Sequence, residues 1–198
     1  APVATAPIVT TATQTSVTVS SATLGGEVTA DGGASVTERG IVWKTSTGPT
    51  TADNKVTNGS CTGVFSGTVN SLPAGTTIFV RAYAINSVDT SYGNEISFAT
   101  PALPVAISSL NRTDFSPNRT GTVNWILTFA SAVSGVTASN FSLTGAAATG
   151  STVGTPYTGN GGIAWNVPVT TGSTDGTLTL NLANSTGITP GISTALPY

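Results

Sequence analysis

The chain has 198 residues, of which only 7% are charged, and its formal net charge is -2. Globular domains usually carry about a quarter charged residues, so this chain has no basic patch for nucleic acid and no Lys or Arg run for an anionic membrane. It contains no His and a single cysteine, Cys61, which excludes Ser-His-Asp and Cys-His catalysis, the usual zinc sites, haem and an internal disulfide.

The first half consists of short alternating runs rich in Thr and bounded by Gly, Pro, Asn or Ser, a pattern typical of strands rather than helices. After an extended Ala/Thr/Pro segment, the predicted strands lie at 15–19, 22–28, 41–44, 63–69, 78–85 and 95–98. Residues 48–58 are predicted to form a loop. Trp43 is predicted to be a core residue, because sandwich folds bury a tryptophan at this place.

The strand at 78–85 is predicted to be central. Ile78, Val80, Ala82 and Ala84 point one way and the residues between them the other, which suits a strand with one face on a core. Gly- and Pro-containing turns precede and follow it, so it forms a hairpin with residues 95–98.

Four segments of this half form a further pattern: ATLGGEV at 22–28, DGGASVTERGIVW at 31–43, VRAYAIN at 80–86 and YGNEISFAT at 92–100. In this order they resemble the fibronectin type III-like module of large bacterial surface proteins. The resemblance implies a β-sandwich. Such modules usually place a tyrosine near Ile78 whose hydroxyl fixes the preceding corner; this chain has none there, so we expect packing alone to hold that corner.

Two prolines in residues 101–104 predict a short, stiff linker. Beyond it, alternating runs at 105–110, 121–129, 141–143, 163–167 and 176–182 predict a second sandwich. VNWILTFASAVSGVTASNFSLTG and DGTLTLNLANSTGI resemble a bacterial Ig-like repeat that occurs in tandem in adhesins. Where that repeat tends to carry acids, neutral residues stand here, which argues against calcium: they are Ser131, Thr137, Asn140 and Asn181. Asp114 and Asp175 are expected in turns.

The predicted fold is therefore all-β, with two tandem immunoglobulin-like/fibronectin type III-like β-sandwiches. The predicted domains are a fibronectin type III-like sandwich at 1–100, a linker at 101–104 and an Ig-like sandwich at 105–198.

Catalysis is not expected, although a glycosidase would need only two carboxylates. Nothing in the sequence places any two acids around a cleft, and the candidates are Glu27, Asp31, Glu38, Asp53, Asp89, Glu95, Asp114 and Asp175. Glu38 and Arg81 are predicted to form a cross-strand pair. No catalytic, metal or cofactor site is predicted.

Cys61 is predicted to be a small buried apolar residue within a strand; the alternative, a disulfide to another copy, needs an exposed sulfur. Five Asn-X-Ser/Thr sequons occur, and in a chain this rich in Thr and Ser they are weak evidence for glycosylation: their asparagines are Asn58, Asn111, Asn118, Asn140 and Asn184.

Tyr92, Tyr157 and Trp165 are the candidate ligand-binding residues, because exposed rings stack on sugars and neighbouring asparagines bond their hydroxyls. The alternative is that Trp165 fills the second core and Tyr157 caps it.

The sequence favours a non-enzymatic extracellular structural or adhesive module of a bacterial surface or secreted protein. Its expected partners are copies of itself, bound by terminal strand addition, neighbouring modules of the same protein, and glycans; neither nucleic acid nor membrane insertion is expected. The alternative is a carbohydrate-binding accessory domain of a secreted polysaccharide-degrading enzyme.

Overall fold

The computed structural model describes residues 3–114 and 121–198. The chain divides into two compact units, Ala1–Ala102 (unit 1) and Leu103–Tyr198 (unit 2). The regular structure of the described residues is strand, apart from two single 3₁₀ turns at Ala138–Asn140 and Ala146–Ala148. The all-β prediction is confirmed.

The described residues of unit 1 form eight strands in two antiparallel sheets. One sheet has the order β1-β2-β5, and the other has the order β4-β3-β6-β7, with β8 also paired to β6. The strands are β1 (Ile8–Thr11), β2 (Ser21–Ala30), β3 (Glu38–Lys44), β4 (Asn54–Thr57), β5 (Gly63–Asn70), β6 (Thr77–Ile85), β7 (Thr90–Tyr92) and β8 (Ile96–Ala99).

The two sheets of unit 1 enclose an apolar core, to which both contribute alternate residues. The predicted alternation of β6 is confirmed, since Ile78, Val80, Ala82 and Ala84 are fully buried in this core. Strand β6 is also central, because it pairs with β3 on one side and with β7 and β8 on the other. Trp43 packs against the core but remains partly exposed.

Three predicted elements of unit 1 are wrong. The turn predicted between β6 and residues 95–98, at 86–93, contains the short strand β7, which pairs with β6. Residues 15–19 form no strand, because Ser16 has a positive φ of 51° and only an isolated bridge joins Thr15 to Thr23. The predicted loop at 48–58 contains β4, whose residues pair with β3 as a short outer strand.

The chain enters and leaves unit 1 at opposite ends of β6. The backbone N–H of Thr5 donates to Gly32 O, and the amide of Asn86, just beyond the end of β6, donates to Thr5 O. Thr100 bonds to Thr76, which immediately precedes β6. A strand of this length spans about 30 Å, so the chain passes through the unit from end to end.

Thr100 holds the corner that was predicted to depend on packing alone, so that prediction is wrong. Its side chain is almost wholly buried, and its hydroxyl donates to Pro73 O at 2.6 Å while accepting from Thr76 N at 3.1 Å. The backbone of Gly75 also donates to Pro101 O. Thr100, which follows the last residue of β8, therefore supplies the hydrogen bonds that hold this corner.

Unit 2 has a larger and a smaller antiparallel sheet. The larger has the order β12-β14-β10-β9, with β13 also paired to β14, and the smaller pairs β11 with β15. Their inner faces enclose a separate apolar core. The strands are β9 (Ile107–Arg112), β10 (Thr122–Phe129), β11 (Phe141–Thr144), β12 (Thr152–Val153), β13 (Tyr157–Thr158), β14 (Ala164–Thr170) and β15 (Thr179–Leu182).

The segment 189–198, which we call the strap, joins the two sheets of unit 2. Its Gly191 and Ser193 exchange backbone hydrogen bonds with Val105, next to β9, and Tyr198 exchanges two with Leu182 at the end of β15. Ile192 and Leu196 pack against the core. The strap is therefore held by its own unit, and its order needs no neighbouring molecule.

Candidate functional site

The outer face of the β4-β3-β6-β7 sheet concentrates charge and aromatic rings. Five residues define what we call the charged face: Glu38, Lys55, Arg81, Tyr83 and Tyr92. Tyr83 lies opposite Tyr92 on β7 and opposite Gly40 on β3. A Cβ on Gly40 would lie 3.0 Å from the Tyr83 ring, so glycine leaves the space in which that ring packs.

The predicted Glu38–Arg81 pair does not form. The register sets Glu38 opposite Ile85 and Arg81 opposite Val42, so the two side chains lie four residues apart along β6. Arg81 instead stacks on Tyr92, with its guanidinium carbon 4.7 Å from the ring centroid, and its Nε donates to Gly93 O at 2.9 Å.

Glu38 joins two partners at the edge of the charged face. Its carboxylate accepts from the Tyr83 hydroxyl at 2.7 Å and forms an ion pair with Lys55 at 2.9 Å. The hydrogen bond from Tyr83 lowers the pKa of Glu38, and Lys55 lowers it further. Burial raises the pKa of Tyr83, and its hydrogen bond to Glu38 acts in the same direction.

Tyr92, the candidate binding residue of unit 1, is fixed within this face. Its hydroxyl accepts from Thr51 N at 3.0 Å, which ties the β3–β4 loop to β7. In the same loop Asp53 pairs with Lys44 at 3.3 Å, and hydrogen bonds from Thr50 lower its pKa. Each of these charged and phenolic groups therefore has a partner within unit 1, so none needs a ligand to satisfy its charge or its hydrogen bonds.

Cys61 is exposed and lies in the loop before β5, so the prediction of a buried strand residue is wrong. The cause is Arg39, whose Nη1 donates to the carbonyl oxygens of residues 61, 62 and 63 at 2.8–3.1 Å. Pointing three successive carbonyl groups at one guanidinium requires an irregular backbone, and Cys61 has a φ of 82°. Its thiol faces solvent as a result.

The two candidate rings of unit 2 lie on opposite faces of the larger sheet. Tyr157 pairs with Asn166, and Thr158 pairs with Trp165. Because adjacent residues of a strand point to opposite faces, Tyr157 projects outward and Trp165 inward. Tyr157 is 58% exposed, whereas Trp165 packs against the core and donates from Nε1 to Gly162 O at 3.1 Å.

The outward position of Tyr157 places it at the end of a row of side chains that the sequence analysis did not find. In register across four strands, Asn111 lies opposite Ile126, Ile126 opposite Asn166, and Asn166 opposite Tyr157. We call these four residues the amide row. Its members are far apart in sequence, so only the strand pairing reveals them.

The sequon asparagines that the structure describes differ in their exposure and in their hydrogen bonds. Asn140 is fully buried, and its amide nitrogen donates to Asn184 Oδ1 and Thr186 O, so it cannot carry a glycan. The amide nitrogens of Asn58 and Asn184 also donate, to Ser66 O and Ser139 O. Asn111 is exposed, and Asn118 lies outside the described residues.

Within residues 3–114 and 121–198, His, Cys, Asp and Glu nowhere form a group of three that could hold a metal ion. Asp114 accepts a hydrogen bond from the backbone of Asn124, and Asp175 lies exposed in a loop. The same part of the chain has no helix long and apolar enough to cross a membrane.

Neither the protein-family models nor the curated proteins match this chain. Among solved structures, the chain is similar to FdeC, an adhesin of Escherichia coli, with 17% sequence identity and a TM-score of 0.41. The similarity covers 90% of this chain and 60% of that one, so this chain spans less than two thirds of the adhesin structure. A likeness this distant assigns neither a family nor a ligand.

Proposed function

We propose that this chain is a non-enzymatic structural or adhesive module in the extracellular part of a bacterial surface or secreted protein. The observation that carries the proposal is the path through unit 1, which the chain enters beside Asn86 and leaves beside Thr100, at opposite ends of β6. Modules with this path can follow one another in series without reversing the chain. Each unit also has its own apolar core, as a repeated module requires.

The resemblance of the first half to fibronectin type III-like modules supports the same function. So does the strand order of unit 1, with three strands in one sheet and β4-β3-β6-β7 in the other. Neighbouring modules of the same protein are then its nearest partners.

Self-assembly is the finer form of this proposal. Strand β1 lies at the edge of its sheet and pairs with β2 alone, so its other edge can add to the sheet edge of another copy. The strap would first have to leave Val105 and Leu182. Analytical ultracentrifugation over a concentration series tests it. Species larger than the monomer that grow with concentration would support assembly, and a monomer throughout would refute it.

A carbohydrate-binding accessory domain is the second candidate, and the exposed ring of Tyr157 favours it. Trp165 points to the core, so the two rings cannot form one flat platform. A sugar site on unit 2 would have to combine a single ring with other groups.

Surface exposure of the protein on the cells that produce it tests the first proposal. An antiserum against the purified chain should label intact cells, and brief proteinase treatment of intact cells should remove the label. Labelling that appears only after the cells are permeabilised would contradict an extracellular module.

A further inference from the structure

The amide row lies on the outer face of the larger sheet of unit 2. Ile126 stands between Trp125 and Leu127, which are both buried in the core. Because side chains alternate along a strand, Ile126 and its cross-strand neighbours Asn111 and Asn166 point away from the core. Four adjacent strands set about 4.8 Å apart give the row a length of about 15 Å.

The amide groups on this face have unused hydrogen-bonding capacity. Within the described parts of the chain, the side chains of Asn111 and Asn166 form no hydrogen bond, and neither does that of Asn124, which lies two residues from Ile126 on the same face. Buried Asn86 and Asn140, in contrast, use both ends of their amides. Each free amide offers two donors and one acceptor, which complements hydroxyl groups.

The row carries no charge. Unit 2 has only four charged residues, and none of them belongs to the row: Arg112, Asp114, Arg119 and Asp175. An ionic ligand would have to bury its charge against the row without a counter-charge, whereas a neutral ligand would not pay that desolvation cost. The row also offers apolar surface, through the exposed ring of Tyr157 and the partly exposed side chain of Ile126.

We propose that the amide row binds a neutral oligosaccharide. The Tyr157 ring stacks on the apolar face of one sugar unit, Ile126 contacts another, and the amides of Asn111, Asn124 and Asn166 bond the hydroxyls along the chain of sugars. This inference deepens the proposed function, because it names the ligand class through which the module would adhere.

The test is binding of the full chain to an array of neutral glucans, mannans, galactans and xylans beside sialylated and sulfated glycans. Protein made in a bacterial cytoplasm keeps Asn111 unmodified. The array should retain the protein on neutral glycans only. Calorimetric titration of the strongest one should show an affinity about tenfold lower for Tyr157→Ala and for Asn166→Ala, and no measurable binding for the double variant.

Tyr157→Phe tests whether the ring alone is needed, and Asn70→Ala is the matched control. The first keeps the ring, so it should bind within about threefold of the original protein. The second removes an exposed strand asparagine of unit 1 and should change nothing. An unchanged thermal transition for each variant will show that the fold is retained.

Three results would overturn the proposal: no retention by any neutral glycan, retention by acidic glycans alone, or undiminished binding by the double variant. These failures differ from failure of the proposed function. A chain displayed on the cell surface that ignores neutral glycans would refute only the amide-row site, and a glycan-binding chain confined inside the cell would refute only the surface module.

Discussion

At the scale of single residues, Thr100 shows how one hydroxyl can replace the missing corner tyrosine. Thr100→Val keeps the shape of the side chain but leaves Pro73 O and Thr76 N without this partner in a partly buried place. We expect the free energy of unfolding of unit 1 to fall by about 1–3 kcal/mol in a denaturant titration.

Thr68→Val is the control for this substitution, because Thr68 is exposed on β5 and forms no side-chain hydrogen bond in the described part of the chain. It should change the free energy by no more than about 0.5 kcal/mol. Equal effects of the two substitutions would show that the corner does not depend on the Thr100 hydroxyl.

Tyr83 and Glu38 make the stability of unit 1 depend on pH at both ends of the scale. The pKa of Tyr83 is raised by folding above its ordinary value of 10.0, so its contribution is complete below that pH and is lost as the pH rises beyond it. The pKa of Glu38 is lowered by folding from 4.5, so its contribution is present above that pH and is lost in more acidic solution.

Tyr83→Phe should therefore destabilise unit 1 by about 1–3 kcal/mol near neutral pH, where the hydrogen bond to a charged carboxylate is intact. The difference between the original protein and the variant should shrink above pH about 10 and again in acid, as measured by denaturant titrations across pH. Tyr157→Phe, at an exposed tyrosine, is the control and should change the free energy of unfolding by no more than about 0.5 kcal/mol near neutral pH. A constant difference at all pH values would refute the coupling.

Sequence alone predicts which residues of a strand face the core, but not what the outward residues touch. The alternation of β6 is readable because burial follows a period of two. The partners of Arg81 and Glu38 cannot be predicted from the sequence, because they depend on the register between β3 and β6. The exposure of Cys61 cannot be predicted from the sequence either, since it results from the three carbonyl groups that accept hydrogen bonds from Arg39.

At the scale of elements, the strap closes unit 2 by covering parts of both sheets. Leu196 packs against the core from this segment, while backbone hydrogen bonds fix the strap to Val105 and Leu182. Leu196→Ala should lower the free energy of unfolding of unit 2 by about 1–3 kcal/mol, somewhat less than for a fully buried leucine. Thermal denaturation followed by circular dichroism measures this change.

Leu103→Ala provides the comparison, because Leu103 is 64% exposed. It should leave both units unchanged within about 0.5 kcal/mol. If Leu196→Ala were equally harmless, the strap would contribute nothing to the closure of unit 2.

The elements also show the limit of prediction for the candidate site. Most strands of unit 2 could be placed from alternation and turn residues, but the short strands β12 and β13 carry too few residues to give a pattern. Without β13, neither the outward direction of Tyr157 nor the amide row can be inferred. Trp165 likewise reads as a possible sugar-stacking residue until its pairing with Leu127 places it on the inner face.

At the scale of the whole molecule, the two units differ in the chemistry of their surfaces, although each consists of antiparallel sheets around an apolar core. Unit 1 carries a face on which charges satisfy one another, and unit 2 carries a neutral face whose amides are free. Each unit has an apolar core of its own, and among the residues that the structure describes none belongs to both cores. We therefore expect each unit to be a separate cooperative folding unit.

Differential scanning calorimetry of the full chain and of two core variants tests this claim most directly. Ile78 and Leu127 are both fully buried, one in each core. The original protein should show two transitions. Ile78→Ala should lower only one of them and Leu127→Ala only the other, each by roughly 10 °C or more. A single transition that both substitutions lower together would contradict the account.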